Sequence, residues 1–394
     1  MKAALPKPVP LVLPLVLPLS GIRILAVEQY GAGPFASMHL ADLGAEVIKI
    51  ESPGGGDVSR ATGPHFLGPD DSQFFQTFNR NKGSVVLDLK SDAGRAQFHT
   101  LVASADAVLN NLRGDQPAKL GLTHAALALH NPRVVCAHLS AYGRDNERAA
   151  WPGYDYLMQA EAGYMHLTGE PDGPPSRMGL SIVDYITGLT LAVGLLAALI
   201  GAMKTGRGRD VDVSLFDVAL FQLTYPATWA LNAGDITQRQ SRSAHPATVP
   251  CQLFASSDGH IFLMCMTQKF WLALVQELAE PALDDARFAD VAHRRANKIG
   301  LIDLLDAAFA RRTTSQWMAA FAGKLPIAPV LGLQAALANP FVQTVSMVQP
   351  LPHAQDADFR VLANPIKLDG MRLPGRGCSA LGADGAVLLA VPAP

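Results

Sequence analysis

Residues 21–57, GIRILAVEQYGAGPFASMHLADLGAEVIKIESPGGGD, decide the fold class. The run IRILAV (22–27) is short, apolar and rich in branched side chains, which reads as a buried strand. GAGP at 31–34 breaks it, and Pro34 suits the first turn of the helix expected over 34–43. EVIKI (46–50) is a second strand. Strand, tight turn, helix, strand is a βαβ unit, and parallel pairing follows from it.

The same alternation continues outward. Strands are expected at 83–89, 107–110, 134–139 and 210–215, with helices at 93–104 and 187–203. After about residue 225 the character changes. A strand pair at 251–255 and 261–264, joined across SSDG, precedes helices at 270–280, 301–311 and 315–324. The chain therefore divides into a proline-rich arm (1–20), a large α/β domain with a parallel sheet (21–225), a smaller α+β domain (226–330) and a C-terminal segment returning to the large domain (331–394).

Composition excludes several classes. Among 394 residues, 49% are hydrophobic and 17% charged, which describes a well-buried globule. A net charge of −2 gives no electrostatic reason to expect nucleic acid or an anionic membrane as partner. Cys136, Cys251, Cys265 and Cys378 form no CxxC pair, so neither zinc nor another metal is expected, and reduced thiols in a cytoplasm are. The arm resembles a signal peptide in its lysines and apolar run. Its five prolines and the lack of a small-x-small cleavage site favour an uncleaved extension. The apolar run 189–203 has 15 residues, short of the roughly 20 that span a bilayer, and reads as a core helix.

Several residues carry possible chemistry. GAGP is not GxGxxG, because Ala36 stands at the third glycine, although Glu51 at the end of the second strand keeps a nicotinamide enzyme open. NRNK (79–82), NNLRGD (110–115) and Lys119 fall at strand ends, where open α/β sheets bind ligands. Arg80, Lys82, Arg113 and Lys119 could together hold a strongly anionic ligand, or each could be a solvated charge. Asp184 stands at the mouth of the apolar helix. A helix N-terminus stabilises a carboxylate there, as a cap or as an ionised nucleophile.

Taken together, residues 21–57, FNRNKGSVVLDLKSDAGR (78–95), NNLR…KLGL, NPRVVCAHLSAYG, PGYDYLMQAEAGYMHLTGEPDGPPSRMGLSIVDYITGL and GRGRDVDVSLFD resemble the class III CoA-transferases, the group typified by formyl-CoA transferase and the carnitine-pathway CoA-transferase. The resemblance implies an interlocked homodimer with a Rossmann-like large domain. It implies CoA transfer from an acyl-CoA to a carboxylic acid through a covalent intermediate on Asp184, with CoA as substrate and no permanently bound cofactor. It places Ala32, Asn79, Arg80, Asn81, Lys82, Asn111, Leu112, Arg113, Lys119 and Tyr142 where the family holds CoA.

Two departures bear on substrate. Gly31 stands where formyl-CoA transferase has glutamine, and residues 240–250, QSRSAHPATVP, lack its polyglycine loop. Formate and oxalate are not the expected pair. Ser241, Arg242 and His245 could face another carboxylate or form a plain linker. The same fold hosts α-methylacyl-CoA racemases, which need a His–Asp acid–base pair, but Tyr154 occupies the histidine's place and is a poor base at neutral pH. A non-catalytic acyl-CoA binder is a third reading, and a missing aspartate would mark it.

Overall fold

The computed structural model describes residues 16–390. The proline-rich arm lies outside them except for its last five residues, where the Leu19 amide donates to the Leu43 carbonyl at 3.0 Å. Two compact units divide the chain.

Among the described residues, the first unit comprises 16–155, 182–218 and 346–390. Its elements are β1 (Arg23–Val27), α1 (Ala32–Asp42), β2 (Glu46–Glu51), α2 (Gln73–Asn79), β3 (Gly83–Val86), α3 (Asp92–Val102) and β4 (Ala107–Asn110). There follow the short helices α4 (Gln116–Lys119) and α5 (His124–Leu127), and β5 (Val135–Ser140). The six strands, including β6 (Asp210–Ser214), pair in parallel in the order β3-β2-β1-β4-β5-β6. The order reverses between β1 and β4, which opens a crevice above their carboxyl ends. After Arg23, β1 is apolar and buried because parallel strands are covered on both faces.

Helices α6 (Asp155–Glu161) and α7 (Tyr164–Leu167) precede α8, which runs over Ile182–Thr205. The expected start at 187 is corrected: the helix begins five residues earlier and has 24 residues. The apolar pattern marks only its uniform part. By length and composition it could cross a membrane. Its buried stripe, including Val183, Leu191, Leu195 and Leu199, packs on α1, β5 and β6, so it is a core helix of the sheet domain. α1 and α8 approach closely at Gly188, where a β-carbon would stand 2.7 Å from the Ala32 carbonyl oxygen.

The second unit comprises residues 156–181 and 219–345. Its three-stranded antiparallel sheet has the order β7-β8-β9, with β7 at Cys251–Ala255, β8 at His260–Met264 and β9 at Ile327–Pro329. Phe254, Leu263, Trp271, Leu305, Phe309, Trp317 and Phe321 form its core. The sequence pattern missed β9, three residues long and ending in proline. It also assigned 156–181 to the large domain and began the C-terminal return at 331 rather than 346.

Candidate active site

The loops after β1, β4 and β5 enclose a cavity of about 380 Å³ in the first unit. Gln29, Tyr30, Gly31 and Ala32 form one wall, and Asn111, Leu112 and Arg113 a second. Leu139, Ser140, Ala141, Leu215 and the segment Trp151–Tyr154 close it, and Asp184 is exposed to it. The cavity lies at the switch point that the strand order creates.

The first wall is held in place by side chains from the loops after β4 and β2. Asn111 accepts the Gln29 amide at 2.9 Å and donates to the Gln29 carbonyl at 2.7 Å, as a paired strand would. Tyr30 adopts φ +69°, costly for a bulky residue, and its amide donates to Asp57 Oδ1 at 3.0 Å. Gly31 then begins α1 without a capping side chain. A β-carbon there would stand 2.8 Å from Asp184 Oδ2, so a larger residue would make the carboxylate shift from this position.

Asp184 is the third residue of α8, and its amide donates to Asp155 Oδ2 at 3.0 Å. Partial burial, and then the nearby negative charge of Asp155, push its carboxyl up to about 7. That is opposite to the expectation that the helix N-terminus keeps the group strongly ionised. Desolvation and a like charge outweigh the helix field, whose contribution is normally about 0.3–1 kcal/mol.

Of the ten residues expected to hold CoA, the structure gathers Ala32, Asn111, Leu112 and Arg113 around Asp184. Tyr142 packs edge-on against Trp151, ring centres 6.0 Å apart, and Arg148 covers both rings. Lys119 is exposed and donates to Asp115 at 2.6 Å, and Arg113 pairs with the same carboxylate at 3.2 Å. The NRNK segment stands elsewhere. Arg80 is buried in a forked pair with Asp42, 2.7 Å at its shortest, and also donates to the Leu362 carbonyl. Asn81 donates to Asp42 as well. Lys82 is fully buried, donating to Glu28 at 2.8 Å, Asn79 at 2.9 Å and the Pro34 carbonyl at 3.0 Å. The expectation of free positive charge at Arg80 and Lys82 is therefore corrected: buried acids occupy both. In the second unit Arg242 is likewise paired with Asp306, and the His245 ring accepts the Ala247 and Thr248 amides.

Sequence reasoning missed Asp155, Asp57 and Trp151. Asp155 had a signal, since it directly follows the Tyr154 weighed above.

The chain matches the sequence model of CoA-transferase family III over residues 19–384, and it belongs to that family. It is 34% identical over 333 residues to the succinate–glutarate CoA-transferase of Agrobacterium fabrum, covering 83% of each chain. It is 33% identical to the acetyl-CoA:oxalate CoA-transferase of Acetobacter aceti, covering 94% of this chain and 95% of the relative. Among solved structures, a CaiB/BaiF family protein from Brucella suis superimposes with a TM-score of 0.81 at 30% identity, covering 94% of this chain and 98% of that one. Rv3272 from Mycobacterium tuberculosis does so with a TM-score of 0.83 at 29% identity, covering 94% and 99%. The enzyme is a class III CoA-transferase, whose substrates are CoA thioesters and carboxylates.

Proposed function

We propose that Asp184 carries the transfer covalently. Its carboxylate attacks the thioester carbonyl of an acyl-CoA, and the CoA thiolate leaves, giving a mixed anhydride. The thiolate then attacks the aspartyl carbonyl, which releases the donor acid as its carboxylate and leaves aspartyl-CoA. The acceptor carboxylate repeats these steps in reverse, forming its own CoA thioester and freeing Asp184. Only a carboxylate side chain can pass through both states.

The observation that carries this reading is the placement of the Asp184 carboxyl in the switch-point cavity, against the turn at Gly31. The first-turn amides of α1, uncapped by any side chain, are suited to stabilise the oxyanion formed in each attack. Partial enclosure protects the anhydride and thioester from hydrolysis.

Small carboxylic acids are the proposed pair, because relatives are named for succinate, glutarate and oxalate. Arg113 is the one cation among the residues lining the cavity and would attract the anionic substrates. A cytoplasmic homodimer with interlocked chains completes the reading. Leu189, Val193, Ile200 and Met203 support the dimer, lying exposed along one face of α8. Sedimentation that gives a monomer at nanomolar concentration would contradict it. The activity is tested by incubating the enzyme with a panel of acyl-CoA donors and free acids and reading CoA exchange by mass spectrometry. At least one donor–acceptor pair should exchange. Release of free CoA without exchange, or α-deuterium uptake by a 2-methylacyl-CoA in deuterated water, would point to hydrolase or racemase chemistry instead.

A further inference from the structure

Asp155 is almost wholly buried at the start of α6 and directly follows the cavity-lining segment Trp151–Tyr154. Its Oδ2 accepts the Asp184 amide, one of the donors that a helix leaves without an internal partner. Asp155 thus caps α8 from a segment distant in sequence and ties two walls of the cavity together. Capping alone needs no charge, since asparagine or serine does it as well. A carboxylate here does what those caps cannot: it adds a negative charge near Asp184.

We infer that Asp155 is a positioning residue for the reaction at Asp184: its hydrogen bond fixes the Asp184 backbone, and its charge sets the pH at which the Asp184 carboxyl ionises. This rests on Asp184 being the nucleophile. The other charged or titratable groups lining the cavity are Arg113, drawn to Asp115, and the Tyr30 and Tyr154 phenols. The raised position of Asp184, near 7, agrees with this arrangement. A carboxylate whose pKa lies near the working pH is substantially ionised yet more basic than an ordinary one, which favours attack on a thioester.

The test follows adduct formation in a single turnover, with acyl-CoA and no acceptor, across pH 5 to 9. The wild-type rate should rise with pH to a plateau with its midpoint near 7. Asp155→Asn keeps an oxygen for the Asp184 amide and removes the charge, so its midpoint should fall by about one pH unit. Asp155→Ala, losing both, should also lower the plateau rate about tenfold or more. An unchanged midpoint in a folded Asp155→Asn overturns the inference. So does a wild-type rate already near its plateau at pH 5, as an ordinary carboxylate of about 4 would give, which decides the matter even if the variants do not fold. Asp184→Asn is run in parallel. An adduct formed by that variant sinks the nucleophile reading itself, whereas its absence together with an unchanged Asp155→Asn midpoint sinks only the role of Asp155.

Discussion

Two sets of buried carboxylates in the same unit meet opposite surroundings. At the ends of β1 and β2, Glu28 lies 2.8 Å from Lys82, Asp57 lies 2.8 Å from Lys49, and Glu51 lies 2.7 Å from Arg60. Burial pushes all three acids up, but the cations and hydrogen bonds around them win and hold each below its ordinary value. Across the cavity Asp184 faces Asp155 instead, and burial and repulsion act in the same direction. The first set fixes the loops that bear the site. Asp184 is left with a destabilised charge, which acylation on the proposed mechanism would remove.

The contrast fixes the pH behaviour of each set. The lowered acids contribute stability that is present above their unfolded values, near 4, and lost as pH falls through their folded values. Asp184 is raised, so its contribution is greatest when protonated and is lost as pH rises from about 4 towards 7.

Breaking the first set should have the largest effect. Arg60→Met strips Glu51 of a forked partner while Ser84 and the Asp57 amide remain. Leaving that carboxylate buried without its forked cation should cost about 3–5 kcal/mol in urea unfolding. A loss below about 1 kcal/mol would mean that the pair is not buried in solution. Next, Gly31→Ala puts a methyl group 2.8 Å from Asp184 Oδ2, too close for the carboxylate to keep its place. Displacing a reacting group by about 1 Å costs on the order of 100-fold, so kcat should fall by that much while KM for acyl-CoA holds. An unaltered kcat would show that the carboxylate reacts from elsewhere. The smallest effect sharpens the comparison: Asp184→Asn should melt at the same temperature as wild type or higher at pH 8, since it removes a destabilised charge. A lower melting temperature would place Asp184 among the structural carboxylates.

Much of this was legible in the sequence. The alternation of apolar runs and helices identified all six parallel strands, because the central ones, buried on both faces, announce themselves locally and the alternation extends to the edges. Asp184 was legible for a similar reason, as a lone carboxylate leading into an apolar run. Partnerships were not. Arg80 and Lys82 look the same in a sequence whether they meet solvent or a buried acid, and their partners Asp42 and Glu28 come from the end of α1 and the loop after β1. The start of α8 was misplaced because its cap, Asp155, comes from another segment. β9 was too short to establish a period, and its pairing with β8 is set by the tertiary fold.

The central claim is that Asp184 is the group acylated during transfer. The most direct measurement incubates wild-type enzyme with an acyl-CoA and no acceptor, quenches with hydroxylamine and maps the product by peptide mass spectrometry. A hydroxamate should be found at Asp184 in wild type and be absent from Asp184→Asn, which should also lose at least about 1,000-fold in turnover while still binding acyl-CoA. A hydroxamate at another residue, or substantial turnover by Asp184→Asn, would contradict the account.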